Sequence, residues 1–228
     1  MRIIESLLNI LFPPECVSCK AEGDFLCDSC IKKLKIKKIR KNVKKTSSKE
    51  FKYLDGVIYG LDYAKNPQIQ AAIQQFKYKF TQELKDIFAD LIADKLKQLS
   101  MVRGRRIVLI PVPLHRKRYF KRGFNQAYLI AKAVQEKIGG RVDVPSVLKR
   151  DVNTPQQAKL SKGERHKNLK DAFSLNKNCV QTFNQKSVYF IVDDVCTTGT
   201  TLESCAKVLK EAGISRVYGL VVARAMKR

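Results

Sequence analysis

The stretch that decides the fold is FIVDDVCTTGTTL, residues 190–202. Its apolar beginning is the end of a strand predicted at Val188–Val192, and the continuous hydrophobic character indicates a sheet covered on both faces. Two aspartates and a threonine-rich segment lead from this strand into a helix predicted from Thr200 to Ala212. Because another strand is predicted at Arg216–Ala223, the order strand, helix, strand indicates parallel neighbours in one sheet.

The threonine-rich segment predicts a phosphate site. Gly199 permits a tight turn at positive φ, and the N–H groups at the start of the next helix can cradle a phosphate. Thr200 with Glu203 fits a capping box, so we expect the helix to begin there. Asp193 and Asp194 suit the hydroxyls of a sugar or the waters on a divalent metal, because carboxylates repel a phosphate. A helix-capping turn explains two aspartates alone, whereas the whole segment predicts a ribose 5-phosphate site.

The remaining pattern completes an α/β fold. Apolar residues spaced three and four apart predict amphipathic helices, and short continuous apolar runs predict strands. We therefore expect an open, doubly wound parallel sheet with a small N-terminal appendage. The further predicted strands lie at Asp55–Leu61, Ile107–Ile110 and Val147–Leu148, and the further predicted helices lie at 67–79, 82–99 and 123–138.

Four of the seven cysteines form the pattern C-x2-C-x7-C-x2-C near the N-terminus. Two CxxC pairs present four thiolates, which suits a tetrahedral zinc ion and leaves no ligand position open for chemistry. Disulfides are the alternative, but a reducing cytoplasm disfavours them. We therefore predict a structural Zn²⁺ site. Its ligands are Cys16, Cys19, Cys27 and Cys30.

The first twelve residues resemble a signal peptide at first sight. Glu5 and Asn9 interrupt their apolar stretch, and no small-residue cleavage site follows. Apolar residues at helical spacing instead predict a short packing helix. No apolar run approaches the roughly 18 residues of a membrane span. We therefore expect a cytoplasmic protein without a membrane span.

The charge is strongly positive, with 45 Lys+Arg against 21 Asp+Glu and a formal net charge of +24. Such a protein attracts nucleic acid, phosphate-rich small molecules or anionic lipid, unless a lysine-rich genome alone raised the charge. Ten basic residues and no acidic one lie between Lys32 and Lys49. A second basic cluster, 115–122, includes Tyr119 and Phe120, which can stack on bases. We favour for it a phosphate-facing loop with both aromatics in the core.

Residues 190–202 resemble the 5-phosphoribosyl-1-pyrophosphate (PRPP) signature of type I phosphoribosyltransferases. Together with the N-terminal CxxC pairs, further segments identify the chain as a member of the ComF family of competence proteins, from about Phe12 to Arg224. These segments are Phe76-Lys77-Tyr78, Pro111–His115 with Arg118, Arg122–Ala127, Thr154 with Gln157, Arg165 with Asn168, and Ala172-Phe173.

The resemblance implies an open parallel-sheet type I phosphoribosyltransferase fold and a set of site residues. Asp193 and Asp194 are implied to be catalytic and to contact the ribose hydroxyls and the coordination sphere of Mg²⁺. Segment 150–168 is a candidate for a mobile lid. The implied PRPP-binding residues are these two aspartates with Cys196, Thr197, Thr198, Gly199, Thr200 and Thr201, and the implied pyrophosphate loop contains Pro113, Leu114, His115 and Arg118.

The domain prediction separates residues 1–50, with the helix, the zinc module and the basic linker, from a phosphoribosyltransferase-like domain at 51–228. Within the latter we expect hood-like helices at 51–100 and a PRPP-binding core at 106–228. The resemblance implies a role in natural transformation, in handling or importing single-stranded DNA, with PRPP, the DNA strand and DNA-uptake proteins as partners. The alternatives are a metabolic phosphoribosyltransferase with an unidentified nitrogen acceptor, or a PRPP-sensing regulator without turnover.

Overall fold

The computed structural model describes residues 13–35, 50–78, 81–152, 172–176 and 183–225. The predicted N-terminal helix, most of the basic linker and most of the candidate lid lie outside these residues. Along the chain the elements are α1 (Asp28–Lys32), β1 (Gly56–Asp62), α2 (Pro67–Tyr78), α3 (Leu84–Lys97), β2 (Ile107–Pro111), α4 (Arg116–Arg122), α5 (Gln126–Ile138), β3 (Val142–Asp143), β4 (Leu148–Arg150), β5 (Phe173–Leu175), β6 (Val188–Cys196), α6 (Thr200–Glu211) and β7 (Val217–Arg224).

A parallel sheet of five strands in the order β1-β7-β6-β2-β3 forms the centre of the protein. β6 pairs with β2 from Ile107↔Val188 to Pro111↔Val192, and with β7 on its other side. Strands buried on both faces read as continuous hydrophobic runs, which explains the pattern of β6. The predicted parallel pairing of β6 and β7 is confirmed. β4 and β5 form a separate antiparallel ribbon, so the strand predicted at Val147–Leu148 does not join the sheet.

Helices cover both faces of the sheet, as a doubly wound fold requires. On one face, α2, α3 and α5 pack against side chains such as Leu109 and Phe190. On the other face, α6 and the β4–β5 ribbon pack against the alternate residues, such as Ile110 and Ile191. The predicted α/β architecture with a parallel sheet is therefore confirmed, and the sheet has five strands.

The helix predicted from residue 123 to residue 138 begins later and is preceded by a helix of its own, α4. Gly123 adopts the left-handed conformation (φ 75°) and ends α4. Asn125 then caps α5, because its side chain accepts hydrogen bonds from the N–H groups of Ala127 and Tyr128. The break therefore makes the basic α4 a helix separate from α5.

The zinc module packs onto the main domain. Cys16, Leu26 and Cys30 are buried in the same hydrophobic cluster as α2 and α3. The buried Asn66 fixes the end of the module, because its Oδ1 accepts a hydrogen bond from Lys35 N at 2.7 Å while its Nδ2 donates to the carbonyl of Asp62, the last residue of β1. Loss of the metal should therefore disturb the main core as well.

Across the part of the chain that the structure describes, no helix is both long enough and apolar enough to cross a membrane.

Candidate functional site

A crevice opens at the carboxyl ends of β2 and β6. From β2 the chain continues through α5 to β3 on one side, and from β6 it continues through α6 to β7 on the other. Since α5 and α6 cover opposite faces, this is the topological switch point, where open α/β sheets bind ligands. A cavity of about 320 Å³ lies there, which we call the edge cavity. Its charged lining residues are Lys77, Arg118, Arg122, Arg150, Asp193 and Asp194.

The acidic side of the edge cavity is formed by the last residues of β6. The pairing of β2 with β6 ends at Val192. β6 continues beyond this point, and Asp193 therefore lies at the crevice. Asp194 N donates to Asp193 Oδ1 at 2.9 Å. Asp194 Oδ1 in turn forms an ion pair with Lys77 Nζ, which comes from α2, at 2.8 Å. Asp194 is thus paired with a cation of the protein, whereas Asp193 lines the cavity without an ion pair among the described residues.

The charges of this group shift one another's pKa values. Burial and the nearby charge of Asp194 raise the pKa of Asp193 to about 7. Burial by itself would lower the pKa of Lys77, but the carboxylates of Asp194 and Asp193 outweigh it and raise that pKa. Asp193 therefore changes its charge near neutral pH, and Lys77 remains a cation.

The basic side of the edge cavity contains three guanidinium groups, the arginine cluster. Arg118 and Arg122 lie one turn apart on α4, so they share a face of that helix. Arg150 ends β4 and stacks on the ring of Phe173 at 5.3 Å. Burial, with the charges of Arg118 and Arg122 in addition, lowers the pKa of Arg150 to about 10. Cations gathered against their mutual repulsion favour a multiply charged anion as ligand.

Two amide side chains at the start of α5 support this part of the cavity, since one contacts Arg122 and the other contacts the end of β2. Gln126 is buried, and its Oε1 accepts a hydrogen bond from Arg122 at 3.1 Å. Its Nε2 has no hydrogen-bond partner among the described residues. Asn125 Nδ2 donates to Val112 O at 3.0 Å and so ties the end of β2 to the start of α5. Because arginine only donates, the amide nitrogen of Gln126 must face away from Arg122.

The loop 197–201 closes the cavity beside the aspartates. Thr197 and Thr201 line the cavity, whereas Thr198 and Thr200 share a hydrogen bond at 2.8 Å between their hydroxyl groups. Gly199 is left-handed (φ 80°) and precedes α6. Cys196 is buried beneath the loop, and burial raises the pKa of its thiol to about 11. Of the loop side chains, then, two face the cavity and the others shape the turn.

Residues 50–54, which we call the strap, lie across this loop. The ring of Phe51 packs on Gly199. Glu203, in the first turn of α6, accepts hydrogen bonds from the backbone N–H groups of Lys52, Tyr53 and Leu54 at 2.8–3.2 Å. The capping box predicted for Thr200 with Glu203 is therefore wrong, because the strap supplies Glu203 with better-placed donors. The strap fixes the start of α6 from outside.

We predict that Gly199→Ala destabilises the protein and the loop together. Its φ disfavours a side chain, and a Cβ would lie 3.0 Å from Phe51 Cζ and closer still to Cε1. The expected loss in unfolding free energy is about 2–4 kcal/mol by chemical denaturation. Gly213→Ala is the matched control, since Gly213 is also left-handed (φ 92°) but has nothing within 4 Å. Equal losses in both variants would show that the Phe51 contact is unimportant.

The predicted pyrophosphate loop is partly helical. Leu114 and Arg118 line the edge cavity, whereas His115 caps α4 by accepting a hydrogen bond from Lys117 N at 3.2 Å. Pro113 is half-buried. The interpretation that Tyr119 and Phe120 belong to the core is wrong: they are 50% and 83% exposed. Phe120 lies on the side of α4 opposite Arg118 and Arg122, and Tyr119 lies between the two sides.

Sequence reasoning did not assign a role to Lys77 or Arg150. Lys77 was noted only within a family segment, and Arg150 only as the start of a loop. Both are cations near the end of a predicted element, a position that many surface lysines and arginines share. Only packing brings them to the aspartates.

The four N-terminal cysteines come together as predicted. Their Sγ atoms lie within 4.8 Å of one another, and Cys19 Sγ is 3.5 Å from Cys27 Sγ. Tetrahedral zinc with Zn–S bonds of about 2.3 Å requires sulfur separations of roughly 3.8 Å. The cluster therefore fits a metal ion with a small contraction. Its donor set, four thiols, is that of structural zinc.

Backbone N–H groups stabilise the thiolate form of Cys16, one of the four sulfurs. Burial would raise the pKa of Cys16, but N–H groups of Cys19, Cys27 and Ser18 point at its sulfur and lower the pKa to about 6. A thiolate is the form that binds metal. The tight turns that supply these donors include Lys20, which is left-handed (φ 65°).

No family model matches the chain. It is 33% identical over 160 residues to competence protein F of Haemophilus influenzae, with 67% of this chain and 66% of that protein covered. It is 30% identical over 158 residues to the DNA utilization protein YhgH of Escherichia coli strain K12, with 68% and 66% covered. Identity to competence protein ComFC of Bacillus subtilis is 30% over 154 residues, with 66% and 57% covered. The chain thus spans about two thirds of the length of the first two relatives. With these identities, a parallel sheet and a four-cysteine module, the chain belongs to the ComF family of competence and DNA utilization proteins.

Proposed function

We propose that the protein binds PRPP in the edge cavity and acts in natural transformation, in the handling or import of single-stranded DNA. The second half of the proposal is supported by the names of the relatives, competence protein F and DNA utilization protein YhgH. The net charge of +24 supports it independently, because a strongly basic protein attracts a polyanionic strand.

The observation that carries PRPP binding is the separation of charge in the edge cavity. PRPP has a ribose with free hydroxyls between a phosphate and a pyrophosphate. In the proposed complex Asp193 accepts a hydrogen bond from a ribose hydroxyl, and the loop 197–201 holds the 5-phosphate through its N–H groups and threonine hydroxyls. The arginine cluster takes the pyrophosphate, whose charge relieves the repulsion among Arg118, Arg122 and Arg150.

Transfer of the phosphoribosyl group is a further part of the proposal. Pyrophosphate leaves from C1 as a nitrogen nucleophile attacks, and the arginine cluster stabilises the negative charge of the leaving group. Bound Mg²⁺ would supply additional neutralisation of pyrophosphate, and the carboxylates of Asp193 and Asp194 suit its water shell. Lys77 keeps Asp194 in place, so the protein contributes position and electrostatics.

One observation favours a metabolic phosphoribosyltransferase as the second candidate function. The buried Gln126 is a lining residue of the edge cavity, and its amide nitrogen, itself shielded from solvent, has no hydrogen-bond partner among the described residues. Such a donor suits a carbonyl oxygen on a planar nitrogen acceptor. Release of pyrophosphate with a supplied acceptor would separate this candidate from a protein that only binds PRPP.

The test is a calorimetric titration of the zinc-loaded protein with PRPP in the presence of Mg²⁺. Saturable binding that Asp193→Asn/Asp194→Asn loses supports the proposed site. A folded, zinc-loaded protein that binds no PRPP would exclude it, and the basic surface would then carry the functional assignment alone.

We predict that PRPP affinity rises with pH near neutrality. The pKa of Asp193 is raised to about 7, so the group is mostly protonated at about pH 6 and mostly ionised at about pH 8. Only the carboxylate accepts a hydrogen bond with full strength, so affinity should rise about tenfold over this range. In the unliganded protein the same raised pKa lowers stability as pH rises from about 4 to about 7.

Titrations at the two pH values measure this effect. Asp193→Asn separates it from the titration of PRPP itself, because the variant keeps the ligand's own pH dependence and removes that of the carboxyl group. If wild type and Asp193→Asn show the same pH profile, Asp193 does not titrate in the binding range.

A further inference from the structure

The outer face of α4 exposes aromatic side chains among cations. Phe120 and Tyr119 are 83% and 50% exposed, which makes them the two most exposed large hydrophobic side chains of the described residues. Arg116, Lys117 and Lys121 are exposed beside them. Neighbouring apolar groups that remain in water on a short helix, rather than in the adjacent core, indicate a surface that meets a partner.

Helix geometry separates this face from the edge cavity. At about 100° per residue, Phe120 lies roughly opposite the midpoint of Arg118 and Arg122. The half-buried Arg118 and Arg122 line the cavity, and the positions flanking Phe120 on the opposite side are Arg116 and Lys117. One helix therefore presents guanidinium groups inward and an aromatic ring between cations outward.

The charge of the surrounding sequence fits an anionic partner. No aspartate or glutamate occurs between Asp94 and Glu136, so α4 and the segments on both sides of it contribute only positive charge. A polyanion approaching α4 thus meets no repulsion from its neighbours in sequence.

We propose that the outer face of α4 is a binding platform for single-stranded nucleic acid, formed by Arg116, Lys117, Tyr119, Phe120 and Lys121. A base stacks on the ring of Phe120 and the cations contact the flanking phosphates, which is the combination that binds single strands without sequence preference. This proposal rests on the proposed role in handling single-stranded DNA. It places the DNA on the side of α4 opposite the edge cavity.

A lipid surface is the other anionic partner with an apolar part. A helix that lies in a membrane interface needs a continuous apolar face. α4 has seven residues, and cations lie on both sides of its most exposed ring, that of Phe120. The spacing therefore favours a strand, whose bases and phosphates alternate.

The experiment measures fluorescence anisotropy of a labelled oligothymidylate of about 16 nucleotides. Phe120→Ala is expected to lower affinity about tenfold without changing its salt dependence, and Phe120→Tyr to restore most of the affinity. Lys117→Gln/Lys121→Gln is expected to lower the slope of log K against log salt by about 1.4, or about 0.7 for each phosphate contact. Lys97→Gln/Lys186→Gln is the charge-matched control, because Lys97 ends α3 and Lys186 precedes β6, away from α4.

The possible outcomes test the binding platform on α4 separately from the proposed role in handling single-stranded DNA. If wild type binds the strand and Phe120→Ala binds equally well, the platform is wrong and the role stands. If wild type binds no strand at low salt, both fail. If Phe120→Ala instead loses binding to vesicles of phosphatidylserine and phosphatidylcholine while keeping the strand, α4 is a lipid-binding surface. PRPP titration of Phe120→Ala should match wild type, which verifies an intact edge cavity.

Discussion

Replacing Arg118 and Arg122 together with alanine is expected to abolish measurable PRPP binding in a protein that remains folded. Both side chains line the edge cavity from one face of α4. A hydrogen bond to a charged group contributes about 1.5–3 kcal/mol, so the loss of two predicts an affinity lower by about 10²- to 10⁴-fold. Calorimetric titration with PRPP and Mg²⁺ measures the loss.

Stability should change little in this double variant. The hydrogen bond from Arg122 to Gln126 and its stacking on Tyr78 are lost. Burial and the charge of Arg122 lower the pKa of Arg118, so removing both cations also relieves repulsion. These effects oppose each other, and we expect the unfolding free energy of the double variant to lie within about 1 kcal/mol of the wild-type value.

Arg103→Ala is the matched control for PRPP binding. Arg103 is exposed and precedes β2, at the opposite end of the sheet from the cavity. It should bind PRPP as wild type does. Undiminished binding by Arg118→Ala/Arg122→Ala would show that the pyrophosphate does not lie against α4, and the assignment of the arginine cluster would be wrong.

The acidic side of the site could be predicted from the sequence because it is local. A buried strand, two aspartates and the loop 197–201 are consecutive, and the rule for parallel sheets puts the end of such a strand at a ligand-binding edge. The cysteine cluster was predictable for a similar reason, since CxxC spacing sets the distances between sulfur atoms almost by itself.

The positions of Lys77 and Arg150 in the site depend on packing between distant segments. Lys77 reaches Asp194 only because α2 ends above the carboxyl edge of the sheet, and Arg150 reaches the cavity from a ribbon outside the sheet. No periodicity in the chain specifies either approach. Glu203 is a further example of a contact that local sequence does not predict. Its carboxylate accepts hydrogen bonds from the backbone N–H groups of the strap and does not cap α6.

For Phe120 the sequence did contain the missing signal. Helical rotation of RKRYFKR puts Phe120 opposite Arg118 and Arg122, so a helix with those arginines inward must expose the ring. Treating residues 115–122 as a loop removed that constraint. Gly123 and Asn125, which end one helix and begin the next, were the local evidence for α4.

Cys16→Ser and Cys30→Ser are each expected to lose the bound zinc and to unfold the N-terminal module. Structural zinc needs four ligands, and a serine hydroxyl replaces a thiolate poorly. Both sulfurs are buried in the cluster that includes Leu26 and the helices of the main domain. We therefore expect the loss to lower the unfolding free energy of the whole protein by several kcal/mol, since metal binding is coupled to folding.

Zinc content per chain, measured by atomic emission, and a thermal unfolding curve with and without chelator test this prediction. Cys205→Ser is the control, because Cys205 is buried away from the module in the cluster under α6. This variant should keep one zinc per chain. Its unfolding free energy should fall by only about 1–3 kcal/mol, because a hydroxyl group is buried in place of the thiol. Chelator should shift the midpoint of wild type and of Cys205→Ser but not that of Cys16→Ser, which has no metal to lose. Full zinc retention by both Cys16→Ser and Cys30→Ser would refute the four-cysteine site, because neither sulfur would then be a ligand.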